Sequence, residues 1–134
     1  MAQTTSTDQV QKLREAYEAF GRGDLEAIRG QFSPDIVWHI GGHSSLSGDY
    51  KGIDAVFEFF GRIFTETDGT LKNDVHDILA NDTHGIVLLT QSAERNGKKL
   101  SMQFVHVTHR DAESRVTESW YLPMDAQAVD EFWA

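Results

Sequence analysis

At 134 residues the chain has the length of one domain, and its 40% hydrophobic, 25% charged composition is that of a globular protein. Its formal net charge of -9 argues against nucleic acid or an anionic membrane surface as a partner, since both require basic patches. The absence of cysteine excludes disulfides and thiol catalysis.

Residues 1–7 read as a loose polar tail. They lack the apolar core of a secretion signal, and no apolar run approaches the roughly 18 residues of a membrane span. A reducing cytoplasm is the expected compartment. Asp8 is placed to cap a helix whose stripe is Val10, Leu13, Ala16, Tyr17 and Phe20, stopped by Gly21-Arg22-Gly23. Asp24 caps a second short helix carrying Leu25, Ile28 and Phe32, which Pro34 ends. A short strand from Ile36 to Ile40 leads into a loop from Gly41 to Lys51. A third helix follows from about Gly52 to Glu66, with Val56, Phe59, Phe60, Ile63 and Phe64 as its apolar face.

After Gly69 the pattern becomes one of strands: Leu71 to Ala80, Thr83 to Arg95, Lys98 to Arg110 and Arg115 to Leu122. Asn96-Gly97 is a type I′ hairpin signal, and Asp111 to Ser114 is the following turn. Asp125 is placed to cap a terminal helix that docks through Val129, Phe132 and Trp133. Helices first and antiparallel strands after them predict a single α+β domain over residues 1–134, with the helices on one face of a curved sheet.

The hairpin fixes a register. A two-residue loop pairs Arg95 with Lys98, so Ala93 faces Leu100, Gln91 faces Met102, Leu89 faces Phe104 and Val87 faces His106. Side chains alternate along a strand, so these eight share one mostly apolar face, with Gln91 and His106 as its polar members. If Arg110 pairs with Arg115, then Thr117, Ser119 and Tyr121 join that face and Glu118 and Trp120 lie outside; a one-residue bulge would reverse this. Trp120 beside Val105 and Val107 would form an apolar patch suited to a dimer.

The stretches AYEAFGRGDLEAIRGQF, DIVWHIGG, SGDYKGIDAVFEFF and ESWYLP together resemble the SnoaL-like branch of the nuclear transport factor 2-like superfamily, over about Val10 to Leu122. The resemblance implies a cone: a strongly bent antiparallel sheet wrapped around three N-terminal helices, with a pocket inside. Members of this superfamily include polyketide cyclases, ketosteroid isomerase, limonene epoxide hydrolase, scytalone dehydratase and proteins that only bind or dimerise, so the fold alone does not fix the function. In the cyclases the last strand typically reads Glu-His-Trp-Asp and its Asp is the acid/base. Here the run is Glu118-Ser119-Trp120-Tyr121, so the acid is replaced by Tyr121. The isomerase's catalytic Asp corresponds to His39 or Ile40, depending on one gap. Its helix-one Tyr falls near Ala16, leaving Tyr17 one place off and pointing elsewhere. Its second acid falls in Lys98 to Arg110, which contains none.

The candidates follow from both readings. His106 and His39 are the titratable groups able to exchange protons near neutral pH. Tyr121 is a neutral donor to a ligand oxygen, with Gln91 as its helper. Trp38, Phe60, Phe64, Met102 and Phe104 are the apolar walls. No metal site is expected: His106 and His109 are three apart on a strand and so face opposite ways, and His39 with His43 lacks a third ligand. No cofactor is indicated. The resulting expectation is a homodimeric cone that binds a hydrophobic, carbonyl-bearing small molecule. If it is an enzyme, it transfers a proton next to that carbonyl, as in isomerisation or ring closure. The alternative is a non-catalytic binding or dimerisation module with the same pocket.

Overall fold

The computed structural model of the protein describes residues 6–134. Most of the expected tail lies outside them. Ser6 and Thr7 belong to the first helix, α1 (Ser6–Gly21), so Asp8 sits inside its first turn rather than capping it. The chain continues through α2 (Glu26–Arg29), β1 (Phe32–Ile40), β2 (Gly48–Lys51), α3 (Ile53–Glu66), β3 (Lys72–Ala80), β4 (His84–Arg95), β5 (Lys98–Arg110), β6 (Val116–Pro123) and α4 (Ala126–Trp133). The fold is α+β: one bent sheet in the order β2-β1-β6-β5-β4-β3, open at both edges, carries the helices on its inner face. Among the described residues no helix is long and apolar enough to cross a membrane.

Around β1 and β2 three features differ from the sequence expectation. The sheet is not wholly antiparallel, because β1 runs parallel to β6. β1 begins at Phe32, which therefore belongs to the strand and not to α2. It accommodates the exposed Pro34 where the β1–β6 register shifts between Phe32 and Val37, a place where a missing N–H costs no ladder bond. Part of the expected loop is the four-residue edge strand β2, whose Gly48 and Asp49 are poor strand formers.

The β4–β5 hairpin has the expected register throughout, from Arg95↔Lys98 to Val87↔His106. Asn96 and Gly97 both take positive φ, 51° and 77°, as a type I′ turn requires. The β5–β6 register differs. The Asp111 carboxylate accepts from the backbone N–H groups of Glu113 (2.9 Å) and Arg115 (3.0 Å), which lengthens the turn. Arg110 then pairs with Val116, and His106 with Tyr121 rather than Ser119. The shift is two residues beyond an irregularity at His109/Arg110, so most of the side chains keep their face. Ser119 and Tyr121 point inward, and Glu118 and Trp120 point outward. At the irregularity Val116, not Thr117, fills the core.

α3 buries Val56, Phe59, Phe60 and Ile63 against β1. α1 closes the other side, where Leu13 meets Ile78, Val87, Leu89 and Phe104. This approach depends on Gly85, where an added Cβ would lie 2.7 Å from both Leu13 Cδ1 and Thr108 Oγ1. α4 is capped by Asp125, which accepts from the Ala128 N–H, and buries Phe132 and Trp133. The last carbonyls of α4 accept from Arg95 Nη1 (Phe132 O at 3.2 Å) and Lys98 Nζ (Glu131 O at 2.9 Å), cations that suit a helix C-terminus.

Candidate functional site

Between the inner face of the sheet and the helices lies a cavity of about 120 Å³. α1 contributes Leu13, Ala16, Tyr17 and Phe20, α3 contributes Phe59, Phe60 and Ile63, and α4 contributes Val129 and Trp133. The loop after β1 closes one side through Gly41, Ser44 and Leu46, and is tied to α4 where the His43 N–H donates to both Asp130 oxygens (3.0 and 3.1 Å). Among the described residues no Asp, Glu, Lys or Arg lines the cavity.

Three of the polar residues that line the cavity, Tyr17, His106 and Tyr121, belong to one chain of side chains that ends on Ser119. Ser119 Oγ lies 2.6 Å from His106 Nε2, and the Tyr17 hydroxyl lies 2.7 Å from His106 Nδ1 and 2.5 Å from the Tyr121 hydroxyl. Trp38 packs over the chain, its ring centroid 5.1 Å from that of His106 and 6.0 Å from that of Tyr121. Burial pushes His106 down to about 3, so the imidazole is neutral at any ordinary pH. Burial likewise raises Tyr17, with further increases from the neighbouring Tyr121. It also raises Tyr121, partly offset by the hydrogen bond from Tyr17.

Proton counting gives this chain a direction. A neutral imidazole has one donor and one acceptor nitrogen. If Tyr17 donated to His106, Nε2 would have to donate to Ser119, and the Ser119 hydroxyl proton, fully buried with His106 as its one side-chain partner among the described residues, would be left unpaired. The arrangement that pairs every buried proton runs the other way. Ser119 donates to Nε2, Nδ1 donates to Tyr17, Tyr17 donates to Tyr121, and the Tyr121 O–H is left for the cavity.

The expected site residues separate into three groups. Trp38, Phe60, Phe104, His106, Tyr121 and Gln91 line the cavity. Gln91, however, donates to Asn73 Oδ1 (3.0 Å) and sits opposite Met102, four residues and about 13 Å along β5 from His106, so it forms a second polar position rather than sharing an oxygen with Tyr121. Phe64 and Met102 are not cavity walls: Phe64 packs on Phe20 at 4.7 Å, and Met102 is wedged against the core clusters.

His39 is on the wrong side of the sheet for the expected role. It alternates with the buried Trp38 and so faces outward. There Nδ1 meets Asp49 at 2.7 Å, Nε2 meets Glu118 at 2.6 Å, and the ring stacks on Trp120. The hydrogen bond to Asp49 raises its pKa most, burial works against it, and the hydrogen bond to Glu118 adds to the rise. Tyr17 was expected to point elsewhere, yet it is the centre of the inward chain. Its place four residues after Leu13 on the apolar stripe of α1 is the signal that carries it.

The SnoaL-like domain family matches residues 13–119. An uncharacterized protein of Mycobacterium tuberculosis is 32% identical over 124 residues, covering 91% of this chain and 93% of the relative. The structure of Bal32a, from a soil-derived mobile gene cassette, superposes with a TM-score of 0.92 at 32% identity, covering 96% of this chain and 98% of Bal32a. A Xanthomonas campestris protein with a cystatin-like fold matches with a TM-score of 0.86 at 23% identity, over 94% of this chain and 98% of that one, a likeness of fold alone.

Proposed function

Because the chain belongs to the SnoaL-like domain family, we propose that its cavity binds a hydrophobic small molecule through one oxygen, which accepts a hydrogen bond from Tyr121. The observation that carries this reading is the directed chain from Ser119 to Tyr121, which delivers a single O–H into an apolar cavity free of charged walls. Apolar walls supply affinity and the donor fixes orientation. Both tyrosines stay protonated and His106 stays neutral, so affinity is constant from about pH 5 to 9. Calorimetric titration of a panel of apolar ketones tests this. The wild-type protein binds, and Tyr121→Phe weakens binding roughly fivefold, the ratio given by one net hydrogen bond. A panel that fails to bind, or a variant that binds as well as wild type, sinks the reading.

A second reading is proton transfer next to the bound carbonyl. The chain favours it, since a hydroxyl fed by a row of donors is suited to a developing enolate oxygen. Against it, the cavity lacks a carboxylate, and both nitrogens of His106, a weak base once its pKa falls to about 3, are engaged. Deuterium incorporation at the α-carbon of a bound ketone in D₂O, above the buffer rate, would establish catalysis. Its absence leaves the protein a binder. We further propose a second copy of this chain as the partner for the outer face of the sheet.

A further inference from the structure

We propose that Trp38 is the second donor of a two-donor oxygen site in the cavity, so that the ligand presents a neutral carbonyl-type acceptor rather than an amine, a carboxylate or a plain hydrocarbon. This rests on the cavity reading above and narrows its ligand class.

The observation is an orphan. Trp38 is 5% exposed and lines the cavity, and its Nε1 is buried with no acceptor. An indole N–H can only donate, and folded proteins rarely leave a buried donor unpaired. The surroundings of Trp38 do not supply the missing acceptor. β1 is hydrogen-bonded on both sides, with Trp38 opposite Tyr50 on β2 and Ser119 on β6, so the carbonyls nearby belong to the ladder. The two nitrogens of His106 are already taken by Tyr17 and Ser119. Nor is the indole free to turn away. It is held by Phe60 at 5.0 Å, Phe32 at 5.9 Å, His106 at 5.1 Å and Tyr121 at 6.0 Å.

Trp38 therefore has the same unmet need as Tyr121, a donor without an acceptor, and the two rings stack on one another at an interplanar angle of 27°. One oxygen with two lone pairs answers both. A ketone, aldehyde or quinone oxygen has two lone pairs and no proton to place. An amine offers protons where protons are already in excess. A carboxylate would enter a cavity with no cationic wall and lose its hydration without compensation. A hydrocarbon leaves both donors unpaired. The side-chain amides that line the cavity, among them the Asn73–Gln91 pair on β3 and β4, offer acceptor oxygens of their own.

Two probes of matched shape test the assignment on the whole protein: acetylnaphthalene, and isopropenylnaphthalene, in which CH₂ replaces the carbonyl oxygen. The chain has three tryptophans, so its ¹H–¹⁵N spectrum contains three indole signals, and the one missing in Trp38→Phe is that of Trp38. The expected result is that the ketone moves this signal downfield and the hydrocarbon does not, while the other two indoles respond alike to both. The preference for ketone over hydrocarbon then falls roughly fivefold in Trp38→Phe, as the loss of one net hydrogen bond dictates. If both probes bind and the Trp38 signal fails to distinguish them, the two-donor site is overturned and the cavity reading stands. If neither probe binds, the cavity reading falls and this inference with it.

Discussion

Tyr17 carries more of the site than its position on α1 suggests. Its hydroxyl accepts from His106 and donates to Tyr121, so removing it leaves two groups without partners, the Nδ1–H and a lone pair on Tyr121. Removing the Tyr121 hydroxyl leaves one, the Tyr17 O–H. An unpaired buried polar group costs roughly 1–3 kcal/mol. Tyr17→Phe is therefore expected to destabilise the protein more than Tyr121→Phe, by about 1 kcal/mol or more, in urea unfolding. The double variant should cost less than the sum of the two, because the groups belong to one chain. The reverse order would mean that the Tyr17 hydroxyl does not bridge His106 and Tyr121. His106 was legible as an inward residue because alternation counted from the Asn96-Gly97 hairpin is robust, and Tyr121 kept its inward face because the register shift of β6 preserved parity. The same rule applied to Trp38 and His39 together excludes both from one cavity, since adjacent strand residues face opposite ways. His39 matched the family pattern only by sequence position, and that match did not respect the face.

At the scale of elements, local signals succeeded and distant pairings did not. The β4–β5 hairpin is written in two adjacent residues, Asn96 and Gly97, and its register followed residue by residue. The β1–β6 pairing joins residues as far apart as Trp38 and Ser119, and nothing in either segment alone encodes it. The β5–β6 register was set by a turn stabilised by the Asp111 side chain, and its two-residue shift did little harm because parity survived. His39 acts at this scale, since it ties β1 to β2 through Asp49 and to β6 through Glu118. Its pKa is raised in the folded state, so its stabilisation is complete below the unfolded value of about 6.5 and is lost as pH rises through the folded value. The stability of wild type relative to His39→Gln should thus decline above about pH 6.5 and hold steady below it, read as the difference in urea midpoints. A difference that stays flat up to pH 9 would mean that the imidazolium is not what holds the three strands.

At the scale of the whole molecule, the two faces of the sheet have divided their work. The inner face encloses the cavity, and the outer face presents apolar side chains in two rows across the ladder. One row runs Leu79, Ile86, Val107 and Trp120, and the other runs Leu88, Val105 and Leu122. Leu79 and Leu122 are about half exposed, at 51% and 49%. Rows that stay in register across neighbouring strands make one contiguous patch rather than scattered single residues, and a monomer seldom leaves such a patch uncovered. At a net charge of -9 two copies repel at long range, so association must come from burial of this patch, and added salt should strengthen it. The polar end of the first row is His39 with Asp49 and Glu118, a rim of the kind that surrounds an apolar interface centre. Sedimentation equilibrium is expected to give a dimer for wild type and a monomer for Leu122→Glu, which sets a charge on one of the two most exposed leucines of the patch. Because Leu122 points away from the cavity, the variant should still bind apolar ketones as wild type does. A wild-type protein that sediments as a monomer at every accessible concentration would remove the partner and leave the patch without an occupant.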